Sequence, residues 1–294
     1  MAGIGLHVRA EFQKGDDIRD AGLTTPDYVE RADDILYGED PTWQKLDLYR
    51  PKERTAEKRP VIVSIHGGGW VYGDKERYQY YCMSLVKHGF AVVNFTYRLA
   101  PEFLFPAALE DTNLVAEWIM KHAEEYQLDT DHIFGVGDSA GAHMLGLYAS
   151  ICTNPEYAKQ YDFQVPEGFA WKAVALNCGA YQITISGDAQ DFTGQLMSEL
   201  LPEKGSAEEL KKINVIDHVS ETFPPVFLMT SNGDFLKADA PLLMKKLMEC
   251  QVPHMFHFYG DKDTMLYHVF HLNMKTEIAE ECNKEECDFF KRYL

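Results

Sequence analysis

Ser139 stands in the stretch GVGDSAG, at the end of an apolar run and with a glycine two residues to either side. A serine so placed suits a sharp strand-to-helix turn that lifts its hydroxyl clear of the backbone and aims a helix N-terminus at it. Such a hydroxyl is suited to nucleophilic attack on a carbonyl carbon. The attack creates a tetrahedral oxyanion, which needs backbone N–H donors at about 3 Å. A second glycine stretch, His66-Gly67-Gly68-Gly69 in IVSIHGGGWVYGDK, ends another apolar run. Three glycines in a row lose much conformational freedom on folding, and a loop that must wrap an oxyanion without side chains in the way accounts for them. The expected donors are the N–H groups of Gly67, Gly68 and Ala140, with Gly69 keeping the loop tight. His66, where the loop leaves its strand, is expected to anchor the loop by hydrogen bonds rather than to act as a base.

A serine hydroxyl becomes a good nucleophile when a histidine takes its proton and an acid orients that histidine. With a nucleophile on this kind of turn, the chain order is Ser, then Asp or Glu, then His. After Ser139, the apolar run Val226–Ser231 ends in NGDFLKAD, which offers Asp234 at the strand end and Asp239 further on, towards a helix. Asp234 is the better placed. The segment YGDKDTMLYHVFHLN offers His268 in the loop proper and His271 nearer the final helix, and His268 is expected to be the base. His254 and His257 fall within a strand and face opposite ways. GVGDSA also fits G-x-G-x-x-A, the dinucleotide fingerprint, but no acidic strand end follows at the required interval. No HExxH or comparable metal spacing occurs, and Asp261 and Asp263 read as a solvated turn.

These residues need elements to hold them. Strands are expected at Lys45–Tyr49, Val61–Ile65, Ala91–Tyr97, Ile133–Gly137, Ala173–Asn177, Val226–Ser231 and His254–Phe258, several of them apolar on consecutive positions, as in a sheet covered on both faces. Helical periodicity falls between them, at Leu109–Ile119, Ser139–Ser150 and Leu242–Cys250, and again at Met274–Leu294. Strands alternating with helices predict a mostly parallel sheet. Two stretches break the rhythm, the acidic residues 1–40 and the turn-rich residues 179–218. Both are read as covers over the C-terminal edge of the sheet, where ligands bind in open α/β folds.

The chain has 294 residues, 46% of them hydrophobic, enough for one large domain. A net charge of −18 argues against nucleic acid and anionic membrane surfaces as partners, because both reward lysine and arginine. No apolar run approaches the ~18 residues of a membrane span. The N-terminus shows no leader pattern, and six scattered cysteines suit a reduced, cytoplasmic protein.

With HGGGW, GDSAG and YRLAPEFLFPAALED at Tyr97–Asp111, the chain resembles the hormone-sensitive lipase family over about Leu46 to His271. The resemblance implies an α/β-hydrolase fold: one domain over residues 1–294, a mostly parallel central sheet flanked by helices, and a small cap from about 1–40 and 179–218. It implies hydrolysis of a small-molecule carboxylic ester of modest acyl length, without metal or organic cofactor. It also implies a homodimer paired through a sheet edge. The family pattern usually has proline after the acid and glycine after the histidine, where this chain has Phe235 and Val269. Arg98 is expected to tie loops together. Trp70, Tyr72, Phe103, Phe105, Tyr181 and Phe192 either line a small acyl pocket or pack the cap against the core.

Three other readings are weaker. A non-catalytic ligand-binding module on the same fold would usually lack a triad member. A serine peptidase would usually carry a large extra domain, and a dinucleotide oxidoreductase would need the missing acid. If His268 is the base, its neutral form does the work, and kcat/KM should rise with pH through the ordinary histidine range, at about 6–7. A rate profile flat from about pH 5 to 8 would remove His268 from that role.

Overall fold

Most of the apolar runs read from the sequence become strands buried on both faces, while His254–Phe258 forms a half-covered edge strand. In the computed structural model, which describes residues 3–53, 55–188 and 190–294, the strands are β1 (Val29–Leu36), β2 (Lys45–Pro51), β3 (Arg59–Ile65), β4 (Ala91–Phe95), β5 (Leu128–Asp138), β6 (Trp171–Asn177), β7 (Val226–Ser231) and β8 (His254–Tyr259). They form one eight-stranded sheet in the order β1-β2-β4-β3-β5-β6-β7-β8. From β4 to β8 every pairing is parallel, while β1 with β2 and β2 with β4 are antiparallel. The helices are α1 (Ile4–Asp20), α2 (Lys75–Val86), α3 (Ala107–Tyr126), α4 (Ala140–Thr153), α5 (Pro155–Ala158), α6 (Phe192–Leu200), α7 (Ala207–Ile213), α8 (Val215–His218), α9 (Asp239–Glu249) and α10 (Glu277–Phe290).

Alternation within the strands divides the interior into two cores. Val61, Val63 and Ile65 of β3 face a cluster that holds Val115 and Ile119 of α3, Leu145 of α4 and Leu243 of α9. Ile62 points the other way, into a cluster with Tyr81 and Leu85 of α2 and Cys282 and Phe290 of α10. Each such fully buried side chain contributes roughly 1.5–3 kcal/mol. β3 pairs with β4 on one side and β5 on the other, so the strand order reverses there. Crevices open at the carboxyl ends of strands at such a reversal. The HGGG loop leaves β3 at that point and Ser139 follows β5.

Residues 1–40 are not all cover. Val29–Leu36 pairs with β2 as an antiparallel edge strand, interrupted by an irregularity between Ala32 and Ile35. One side of this strand faces solvent, so Asp33 and Asp34 sit at the irregularity without burial, and its apolar alternation is too weak to stand out. α1 packs on α6 through the Gly5 N–H, which donates to Glu199 Oε2 at 3.0 Å. No helix among the described residues is long and apolar enough to cross a membrane.

The second core contains an acid. Glu286 of α10 is fully buried, accepting from the Tyr81 hydroxyl at 2.8 Å and from Asn177 Nδ2 at 2.6 Å. Burial raises its carboxyl from the ordinary 4.5 to about 7, against the effect of those two hydrogen bonds. Between these values the folded chain holds a proton that the unfolded chain has released, so stability falls as pH rises through that window. Glu286→Gln should remove this slope and gain on the order of 1–3 kcal/mol over the parent above pH 7. Urea unfolding at about pH 5 and about pH 8 measures it, and equal changes in the two proteins would refute the assignment.

Candidate active site

Ser139 joins β5 to α4 with φ 52° and ψ −120°. A non-glycine residue at positive φ is costly and persists only where its surroundings enforce it. Here the Ser139 N–H donates to Asn177 O on β6 at 3.0 Å, and Ser139 O accepts from His143 N at 3.1 Å. The flanking glycines are steric necessities. A Cβ on Gly137 would lie 2.6 Å from Gly141 O, and one on Gly141 would lie 2.0 Å from Ile65 O. The elbow is thus pressed against the end of β3, beside the HGGG loop.

In that loop Gly68 has φ 122°, and a Cβ there would meet Tyr72 O at 2.0 Å, so only glycine fits. His66 is buried and neutral, its imidazole pushed down to about 4 by burial against the opposing hydrogen bond to Gly67. Its Nδ1–H donates to Gly67 O at 2.8 Å, and its ring stacks on Tyr97 with centroids 3.9 Å apart. It anchors the loop as expected. Arg98 ties the neighbouring loop down by donating Nε to Asp111 Oδ1 at 2.9 Å. Gly67 departs from expectation. Its N–H donates to the Tyr78 hydroxyl at 2.8 Å and is no longer free to meet an oxyanion. The N–H groups of Gly68 and Gly69 have no partner among the described residues, and Ala140 carries the first N–H of α4, which has none within a helix.

Asp234 and His268 meet at the far side of the cleft. His268 Nδ1–H donates to Asp234 Oδ1 at 2.6 Å. The carboxylate also accepts from the Thr230 hydroxyl at 2.7 Å and from Leu236 N–H at 2.9 Å. Burial alone would raise the Asp234 carboxyl, but the bond to His268, its charge and these donors outweigh burial and hold it below the usual carboxylate range. The histidine loop is stitched to the end of β7: Ser231 Oγ donates to Leu266 O at 2.8 Å, and Gly233 N–H to the same carbonyl at 2.9 Å. Val269 adopts φ 52° where the family pattern has glycine. Phe235, where that pattern has proline, lays its ring against His268 with centroids 4.2 Å apart. The rivals have other tasks. Asp239 accepts from the N–H groups of Tyr181 at 2.8 Å and Gln182 at 3.1 Å. His271 is fully buried, with neither ring nitrogen partnered among the described residues.

Ser139 and His268 line two cavities. One, of about 220 Å³, is walled by Phe12, Trp70, Ile183, Phe192, Leu196 and Leu236, with Gln182, Thr184 and Asp239 as polar points. The other, of about 310 Å³, has Glu11, Asp16, Arg19 and Tyr72 around its edge. Of the expected pocket residues, Trp70 and Phe192 line the first and Tyr72 the second, its hydroxyl donating to Asp16 at 2.8 Å. Tyr181 and Phe103 line neither. Tyr181 is wholly buried beneath the surface. Phe103 packs under the Arg98 guanidinium, 5.6 Å away, and edge-on to Trp43. Phe105 likewise turns aside, towards Tyr161. Phe12 of α1 was not anticipated.

Among the described residues the donors close enough to share a metal ion are Cys178, Asp234 and His268, within 4.8 Å of one another. Burial drives the Cys178 thiol well up, keeping it protonated, and Asp234 and His268 are committed to each other. The set therefore belongs to the acid–histidine pair.

The arrangement has clear relatives. A family model described as BD-FAE matches residues 46–240. Esterase LipC of Mycobacterium tuberculosis is 32% identical over 231 residues, covering 77% of this chain and 53% of that protein. An acetyl esterase of Salmonella schwarzengrund is 25% identical over 255 residues, covering 83% of this chain and 74% of that one. The chain spans about half the length of LipC and of the similar LipQ and LipM. Among solved structures, esterase B of Lactobacillus rhamnosis superposes with a TM-score of 0.87 at 26% identity, covering 97% of this chain and 92% of that one. The same esterase inhibited by a C4-C4 SN3 tributyrin phosphonate gives a TM-score of 0.88. The α/β-hydrolase fold and the kinship with esterases expected from the sequence are borne out.

The geometry yields a direct test. A fluorophosphonate should label the chain at Ser139, and Ser139→Ala should abolish labelling. Asp234→Asn leaves the side-chain shape but favours the wrong histidine tautomer, and should slow labelling by roughly 10³–10⁴-fold. Asp239→Asn should keep the rate within about threefold. Mass spectrometry of the adduct over time measures all three, and equal slowing in the two acid variants would undo the pairing of Asp234 with His268.

Proposed function

This chain belongs to the BD-FAE family, and we propose that it is a serine carboxylesterase, hydrolysing short-chain, acetyl-like carboxylic esters through an acyl-enzyme. The observation that carries the reading is the meeting of a strained, cleft-facing Ser139 with the 2.6 Å His268–Asp234 pair on shared cavities. In this reading His268 takes the Ser139 proton as the oxygen attacks the ester carbonyl. The oxyanion is met by the N–H groups of Gly68, Gly69 and Ala140, with Gly69 taking the place first given to Gly67. The imidazolium then protonates the leaving alcohol. Water enters, gives its proton to His268 and attacks the acyl-serine, whose collapse frees the acid and returns the proton to Ser139. Asp234 holds the tautomer and steadies the imidazolium throughout.

The size of the apolar cavity, which Trp70 and Leu196 help to line, supports a short acyl group. The second cavity, edged by Glu11, Asp16 and Tyr72, would take the alcohol. A short acyl group agrees with an acetyl esterase among the relatives and with the C4-C4 SN3 tributyrin phosphonate of esterase B. In this reading α1 and the segment 179–218 serve as the cap. The free cysteines favour a reducing, cytoplasmic setting. A homodimer would pair along β8, the sheet's parallel edge, whose side chains are only partly covered.

Initial rates on p-nitrophenyl esters from acetate to decanoate test the proposal. Activity should peak at short chains, and Ser139→Ala should lower kcat by on the order of 10⁶. A native protein inert across the series, or a variant as active as the parent, would overturn it.

A further inference from the structure

Tyr78 lies on α2, outside every motif that drew attention to the site. Its hydroxyl is nevertheless the only side-chain group among the described residues that bonds a backbone N–H of the three-glycine run. It accepts from Gly67 N–H at 2.8 Å and donates to Asp138 Oδ2 at 2.7 Å. Asp138 immediately precedes Ser139, so one hydroxyl bridges the start of the glycine loop and the residue beside the nucleophile. The assembly is closed to solvent, with Tyr78 6% and Asp138 2% exposed. It is also tight. A Cβ on Gly67 would lie 2.7 Å from Asp138 Oδ2 and 2.9 Å from the Tyr78 hydroxyl. The other bonds to the loop take up its carbonyls: His66 O from the Tyr97 hydroxyl at 2.8 Å, Gly67 O from His66 Nδ1–H at 2.8 Å, and Gly68 O from Val71 and Tyr72 N–H at 3.3 and 3.0 Å. Those contacts fix where the loop sits along β3. None of them ties the loop to the residue beside Ser139, which among the described residues the Tyr78 hydroxyl does.

We propose that Tyr78 is a positioning residue for the oxyanion hole: by fastening Gly67 N–H to Asp138, it sets the distance from the Gly68 and Gly69 donors to Ser139. The inference rests on the esterase reading. Oxyanion donors act on charge that develops in the transition state, so a loosened strut weakens that interaction and spares ground-state binding. The Asp138 carboxylate matters because it locks the hydroxyl's direction. With its hydrogen committed to Oδ2, the oxygen of Tyr78 must present a lone pair to Gly67.

The same helix supplies the control. Tyr81 is buried alike, and its hydroxyl donates to Glu286 Oε1 at 2.8 Å, away from the loop. Tyr78→Phe should lower kcat by about 10–100-fold with KM within about twofold, and should weaken inhibition by a trifluoromethyl ketone, which builds the oxyanion on Ser139, by the same factor. Tyr81→Phe should leave kcat and the inhibition constant within about threefold. Should Tyr78→Phe fail to fold, Asp138→Ala cuts the strut at its other end and should show the same loss in kcat alone. If both fold, the double variant should be no worse than either single, since the two residues act as one unit. A kcat within about threefold of the parent in the folded variant, or an equal loss in Tyr81→Phe, would overturn the proposal. The rate of fluorophosphonate labelling at Ser139 reads the same donors without ester turnover. A parent that is labelled but turns over no ester would fault the esterase reading alone, and the labelling ratio of Tyr78→Phe to parent would still decide the strut.

Discussion

The backbone of Ser139 is held at φ 52°, and the centre of the molecule is built to keep it there. A residue in that region costs of order 1–3 kcal/mol, which has to be offset by its surroundings. β6 receives the serine N–H, and α4 begins at the next residue. Gly141 presses so close to the end of β3 that no larger residue could stand there. The approach that enforces the turn also brings the HGGG loop alongside the hydroxyl. Strain at Ser139 and proximity of the HGGG loop are therefore one packing event. It falls at the reversal of strand order between β3 and β5, where a crevice opens at the carboxyl ends of the strands.

Around this point the site is fixed by buried polar chains, each crossing between elements distant in sequence. One runs from Gly67 through Tyr78 to Asp138. Another runs from Trp70 Nε1–H to His143 Nδ1 at 3.1 Å, and from His143 Nε2–H to Ile213 O at 2.8 Å. Burial holds the His143 imidazole down to about 4, which keeps it neutral and able to accept at one nitrogen while donating at the other. The glycine loop, the nucleophile helix and the end of α7 are thereby joined through groups that would be costly to leave unpaired. Cores of this kind gain a single well-defined arrangement from their polar members, provided each is satisfied.

How much of this could be read beforehand depended on whether a property belongs to a residue or to its neighbours. Ser139, Asp234 and His268 could be named from the order of strand ends and loops, because the chemistry restricts both residue type and position. The glycines could be explained, yet which N–H stays free could not, since that depends on a tyrosine of another helix reaching Gly67. Pocket residues were harder still. Trp70 follows a motif and lines the cavity, whereas Tyr181 turns inward and Phe103 shelters an arginine, and side-chain direction in irregular backbone leaves little trace in sequence. β1 escaped notice because an edge strand with one wet face and a bulge loses the alternation by which strands are recognised.

The two sides of the cleft differ in how they are attached. Ser139 and Asp234 follow strand ends whose side chains are buried. α1, which brings Phe12 to the cavity wall, buries only Gly5 and Val8. It is tied down mainly by surface polar contacts, such as Arg9 Nε–H to Val71 O at 2.7 Å and Arg9 to Glu102. Water and salt compete for bonds of that kind, and a segment held by them opens locally at far lower cost than the sheet beneath it. In the esterase reading, selectivity and reactivity would thus be placed in parts of different durability. Exchanging or loosening one peripheral helix would retailor which molecules are admitted while the machinery that acts on them stayed intact, and a lineage could change its diet without rebuilding its engine.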